Sequence, residues 1–80
     1  MERHYSLRLD LDETMDDTVA VARLALWGDQ FEARGTARRH PEDPSIPVIG
    51  EELAIARALS ELAGQMMEVA RDKIATHLSP

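Results

Sequence analysis

The sequence predicts an α+β fold: a three-stranded antiparallel β-meander packed against one long C-terminal α-helix, assembled as a dimer. Three observations carry that expectation. A strict apolar–polar alternation opens the chain. Two more stretches with strand character flank a glycine turn. An apolar pattern with helical period then runs from Gly50 nearly to the end. Eighty residues read as a single domain, 1–80, with strands over about 4–12, 18–27 and 30–39, a proline-rich loop over 40–49 and a helix over about 51–77.

In the first strand Tyr5, Leu7, Leu9 and Leu11 fall on one face. Ser6, Arg8, Asp10 and Asp12 fall on the other, as a half-buried strand requires. The acidic "TMDD" is too short for a helix and turns the chain. The following "VAVARLALW" has helix-favouring Ala and Leu, but Gly28-Asp29 makes a good two-residue hairpin turn with glycine supplying a positive φ. A type II′ turn there pairs Leu26, Leu24, Ala22 and Ala20 with Phe31, Ala33, Gly35 and Ala37. The hairpin's apolar side is then mostly Ala and Gly, so a helix can approach closely. The same pairing sets Arg23 opposite Arg34. Like charges across a strand pair cost stability, so an anion is expected between them, from Glu32, a partner subunit or a ligand.

"RHPEDPSIPVIG" holds three prolines, which fix φ and remove donors, and is read as a stiff extended loop. The helix is expected to open at Glu51 and Glu52, where its dipole favours acids, with Arg71 and Lys73 toward the opposite end. Ile55, Leu59, Leu62, Met66 and Val69 recur at three and four and mark a core stripe. Gly64 interrupts it, as a kink or a close backbone contact. A second apolar strip, Leu53, Ala56, Ala63, Met67, Ile74 and Leu78, lies beside the first. One small sheet cannot cover both, so the second strip is assigned to a homodimer interface.

Composition agrees with assembly. A domain this small is marginal alone, and without cysteine no disulfide can staple it. Nine Lys and Arg against fifteen Asp and Glu give a net charge of -6, which argues against nucleic-acid binding through bulk charge. Only Lys73 is a lysine, and arginines make directed, bidentate contacts. No stretch is long and apolar enough to span a membrane, and the start lacks the apolar run of a secretory signal. The cytoplasm is the expected location.

No motif points to catalysis. His4, His40 and His77 lie in separate segments without ligand spacing, so no metal is expected. Phosphate-binding glycine patterns and nucleophile elbows are absent from the sequence. Ser6, Ser45, Ser60 and Ser79 have no nearby base, and Asp16-Asp17 reads as a solvated turn. The protein is expected to be no enzyme and to need no cofactor. The feature that stands out is the outer sheet face, which gathers Arg8, Arg23, Arg34 and Arg38 beside Val19, Val21 and Trp27, with Asp10, Asp12 and Glu32 partly neutralising it. Arg and Trp are common anchors of interfaces, so Arg8, Arg23, Arg34, Arg38 and Trp27 are the candidate partner-binding residues.

The block "ARGTARRHPEDPSIPVIGEELAIARALSEL" resembles a family of small actinobacterial proteins that form a domain of unknown function. The shared pattern runs through Gly35, Ala37 and Arg38, then Pro41 and Asp43, then Ile46, Pro47, Ile49, Gly50, Glu52 and Leu53, and ends at Ala56, Arg57, Ala58, Leu59 and Leu62. The similarity covers about residues 4–75. It implies a β-β-β-α fold like part of a double-stranded-RNA-binding domain, and an intertwined dimer. It also implies a stress or dormancy role like that of ribosome hibernation-promoting factors, with no catalytic residues. In RNA-binding relatives of that fold, lysines open the last helix; here Glu51 and Glu52 stand there. The expected partners are therefore a second copy of the chain and either the ribosome or another protein. Neither a membrane nor free duplex nucleic acid is expected.

Overall fold

The structure of the protein is a computed structural model that describes residues 1–44 and 46–78. Its elements are β1 (Leu7–Glu13), β2 (Asp17–Leu26), β3 (Asp29–Arg38) and α1 (Pro47–Leu78). The strands form one antiparallel sheet in the order β1-β2-β3, and α1 lies over β2 and β3. This is the α+β architecture that the alternation and the helical period predict.

The hairpin register differs from expectation. The turn is Trp27-Gly28, not Gly28-Asp29, and both residues have positive φ, 51° and 84°. That is the pattern of a type I′ turn, whose twist matches the strands it joins. Moving the turn by one residue moves the pairing by two. Leu24 meets Phe31, Ala22 meets Ala33 and Ala20 meets Gly35. Face assignments survive, because side chains alternate with period two. Arg23 now meets Glu32, and Arg34 meets Val21. The Arg23–Arg34 opposition disappears; across β1 and β2, however, Arg8 stands opposite Arg23, with the Asp10 carboxylate bonded to both.

The β1–β2 turn closes where "TMDD" predicts it. Thr14 N–H donates to the Asp17 carbonyl at 2.8 Å, and Asp17 N–H donates to Thr14 Oγ1 at 3.0 Å. The first strand starts at Leu7 rather than at residue 4. The segment before it turns to the hairpin, where the Arg3 guanidinium lies 4.4 Å from the centre of the Trp27 ring.

The core is small-residue packing. Ala20, Ala22, Phe31, Ala33 and Ala37 from the sheet meet Ala54, Ala58 and Leu62 from the helix, with Ile55, Met66 and Val69 at the margin. The stripe therefore centres on two alanines rather than on Leu59, which is exposed. The cause is close approach. A Cβ on Gly35 would collide with the Ala54 carbonyl and the Ala58 amide. Only alanines let the helix descend that far.

The helix is also longer than expected. Pro47 opens it, at the position where a missing N–H costs nothing and a fixed φ helps. Glu51 and Glu52 thus sit one turn inside, and the first turn holds no acid. Thirty-two residues span about 48 Å, against about 33 Å for a ten-residue strand. Lys73 pairs with Asp29 at the hairpin turn. Ile74 to Leu78 extend past the sheet. Gly64 makes neither kink nor contact, since the helix runs through it and a Cβ there would meet nothing.

Candidate functional site

The outer sheet face is built by the odd residues of β2 and the even residues of β1 and β3, all turned away from α1. It brings together Arg8, Arg23, Arg34 and Arg38 as predicted. It also brings Asp10, Asp12, Asp17 and Glu32 between them. Arg23 bridges Asp10 and Glu32, both at 2.9 Å. Arg8 pairs with Asp10 at 2.9 Å, and Arg38 with Asp17 at 3.4 Å. Four arginines face four carboxylates, so the face is charge-balanced rather than basic. Among the described residues, Arg34 has no ion-pair partner. It borders a shallow depression of about 270 Å³ with Asp10, Asp12, Val19, Val21 and Arg23. These pairs are exposed and individually contribute little to stability. Trp27 stands apart from the group, at the hairpin tip, with 71% of its surface exposed.

The two edges of the sheet differ. In the β2–β3 hairpin the alternation of hydrogen bonds turns the even residues of β3 outward. Helix side chains meet that edge. Arg57 Nη1 donates to the Thr36 carbonyl at 2.7 Å, and Gln65 Nε2 donates to the Glu32 carbonyl at 3.0 Å. Arg57, whose simplest sequence partner is Glu61 one turn on, is thus a clasp on β3. Sequence reasoning passed over Gln65 altogether; its spacing of two turns from Arg57 is the available signal. At β1 the Thr14–Asp17 bond fixes the opposite phase, so the N–H and C=O groups of Leu7, Leu9 and Leu11 point outward. Among the described residues nothing bonds to them.

The apolar side of β1 is also poorly covered, because α1 sits over the other two strands. Leu7 and Leu11 are exposed and Leu9 is half-buried. With Arg57 and Gln65 over the β3 edge, the helical wheel puts Ile55, Leu59 and Met66 on the β1 side. The expected dimer strip of Leu53, Ala56, Ala63, Met67, Ile74 and Leu78 is exposed along its whole length, on the back of the helix.

At the helix N-terminus a cavity of about 380 Å³ lies between the β1–β2 turn, the proline loop and α1, with Met15, Ile46, Ile49 and Leu53 in its wall. Arg39 stitches this corner. Its Nη1 donates to the Asp43 carbonyl at 2.8 Å and its Nη2 to Asp16 at 3.0 Å. Its Nε is buried without a partner among the described residues. Beside the cavity Glu13 meets Glu51. A hydrogen bond between the two carboxyls, then desolvation, then the Glu51 charge raise the Glu13 pKa above its ordinary 4.5.

The histidines stay apart. His4 lies 3.8 Å from Glu2 in the exposed N-terminal segment, and the His40 carbonyl accepts from Asp43 N–H. Among the described residues no three His, Cys, Asp or Glu gather as metal ligands. Ser45 and Ser79 lie outside the described residues. Among the described residues no helix is long and apolar enough to cross a membrane.

Comparison with known proteins places this arrangement among relatives. The Rv2632c-like family matches residues 3–79. Uncharacterized protein Mb1767 of Mycobacterium bovis is 38% identical over 72 residues, 90% of this chain and 77% of the relative. Uncharacterized protein Rv2632c of Mycobacterium tuberculosis is 44% identical over 64 residues, 80% of this chain and 69% of the relative. The crystal structure of Rv2632c superposes with a TM-score of 0.90 at 37% identity, covering 100% of this chain and 96% of that one.

Proposed function

The chain belongs to the Rv2632c-like family, and from that premise we propose that it is a non-catalytic, cytoplasmic protein-interaction module that works as a homodimer. One observation carries the reading: a single copy leaves its apolar surface unfinished, on β1 and along α1. Exposed Leu7 and Leu11 on β1, and Leu53, Met67 and Ile74 on the back of α1, are a large apolar share for eighty residues, and exposed apolar surface beyond single scattered residues marks interaction surface. A second copy supplies the missing cover. The charge-balanced outer face with Trp27 at its tip then meets a protein partner, since balanced ion pairs suit a surface of mixed sign. Size-exclusion chromatography with light scattering tests the dimer; a monomer at tens of micromolar overturns it. Pull-downs that survive nuclease treatment test the protein partner.

A second reading rests on Arg34 and Trp27. An arginine without a carboxylate partner, on a face whose hairpin tip carries an exposed aromatic, suits a phosphate-bearing partner. In that reading the dimer is a stress or dormancy factor that binds the ribosome through Arg8, Arg23, Arg34 and Arg38. Charge balance weighs against it. Co-sedimentation with ribosomes at low and moderate salt separates the two readings. Retention at moderate salt, lost on Arg34→Glu, supports the ribosome; loss at every salt concentration leaves the protein-interaction module.

A further inference from the structure

We propose that two copies of this chain join edge to edge through β1, antiparallel and centred on Leu9, to make one six-stranded sheet β3-β2-β1-β1-β2-β3. The inference rests on the homodimer reading and specifies its seam. It follows from the asymmetry of the edges. At β3 the helix side chains Arg57 and Gln65 reach over the edge and occupy two of its outward carbonyls, those of Thr36 and Glu32. β1 presents the outward N–H and C=O groups of Leu7, Leu9 and Leu11 with nothing bonded to them among the described residues. An open, partly apolar edge is a template for another strand.

The sequence of β1 selects the second copy as that strand. Consider the antiparallel registers "LRLDLDE" can adopt with itself. Centred on Leu9, Leu7 faces Leu11 of the other copy, Leu9 faces Leu9, and Arg8 faces Asp10. Every leucine then meets a leucine on one face, and each arginine meets a carboxylate on the other. Centred on Asp10, two Asp10 residues oppose each other and Leu7 faces Glu13. Centred on Arg8, two arginines oppose each other. Centred on Leu11, Asp10 faces Asp12 and Leu9 faces Glu13. Like charges directly opposite destabilise, so Leu9 is the one self-complementary centre. The hydrogen-bond phase agrees: Leu9 with Leu9, and each Leu7 with Leu11, become pairs that exchange both N–H···O bonds.

A two-fold axis perpendicular to the sheet keeps both apolar faces on one side. The leucines of the two β1 strands then lie side by side between the helices, flanked by Ile55, Leu59 and Met66 from each copy. The strip on the back of the helix is not part of this seam.

Leu9→Cys tests it directly, because the natural sequence has no cysteine. At the seam the Cα atoms of the two Leu9 positions sit about 5.5 Å apart, within the range a disulfide spans. Mild oxidation should convert most of the variant into a covalent dimer. Leu11→Cys is the control: its two copies lie about 14 Å apart along the strands and should stay reduced. Arg8→Asp, at an exposed position, sets an aspartate against Asp10 twice and should raise the dimer dissociation constant at least tenfold with an unchanged circular dichroism spectrum. A wild-type monomer in light scattering overturns the homodimer reading and the seam together. A wild-type dimer in which Leu9→Cys fails to cross-link, or which Arg8→Asp leaves intact, overturns the seam and keeps the homodimer.

Discussion

Trp27 occupies a backbone conformation that a large side chain rarely adopts, and it is the first residue of the hairpin turn. Strain of this kind costs of order 1–3 kcal/mol and persists where something else requires the side chain. Asn is the favoured residue at that position, before glycine. Trp27→Asn should therefore stabilise the fold by about 1 kcal/mol, raising Tm by roughly 4–8 °C in a domain of this size, despite loss of the Arg3 stacking. The same variant should bind the protein partner less well, which a pull-down measures. The two glycines of the packed elements should respond in opposite directions. Gly35→Ala drives a methyl group into the α1 backbone and should cost about 1–3 kcal/mol or more by denaturant titration. Gly64→Ala fills open space and should gain about 0.5–1 kcal/mol. The Glu13–Glu51 pair gives a pH dependence. Because the folded-state pKa of Glu13 is raised, its contribution is full at acid pH and is lost as pH rises above 4.5 through the folded value. Glu51→Gln should flatten that part of the stability–pH curve and raise stability at neutral pH, as urea midpoints at acid and neutral pH would show.

At the level of elements, period was legible and phase was not. Alternation in "LRLDLDE" and in both hairpin strands identifies each strand and its apolar face. A slip of two residues leaves those faces unchanged, so hydrophobicity cannot distinguish the two hairpin registers. Charge can: Arg23 against Glu32 is attractive, whereas Arg23 against Arg34 is not. The obstacle was Trp27, which no propensity favours at positive φ. The helix shows the same split. Its apolar stripe located it, but its centre lies on Ala54 and Ala58, which hydrophobicity ranks below Leu59. They became core because Gly35 lets the backbones touch, a fact of three-dimensional contact. Pro47 was readable as a helix start and was hidden by the prolines before it. The candidate surface divides likewise. Alternation assembled the arginines on one face with Asp10, Asp12 and Glu32 among them, but Asp17 and the pairing of each arginine needed the observed register. The clasp of Arg57 and Gln65 was invisible without the edge it covers. Arg57→Ala removes one bond to that edge, and should cost about 0.5–1.5 kcal/mol, measurable by thermal unfolding with Glu61→Ala as the neutral comparison.

Taken as one body, the molecule is 58 Å long and 16 Å thick, because the helix outruns the sheet it covers. Ile74 to Leu78 are exposed and are not part of the Leu9 seam. A chain ending at Lys73 should therefore keep its Tm within about 2 °C and its dimeric mass, by melting curves and light scattering, as expected for surface positions away from packed features. The edge at β3, overlaid by Arg57 and Gln65, and the open edge at β1 also fix how many neighbours a copy can take. With one reactive end per molecule, growth stops at two, as a chain reaction stops at a terminator. Were both ends reactive, each addition would expose a fresh one and the product would be a filament. Arg57 and Gln65, far from the seam, are then what makes the assembly finite.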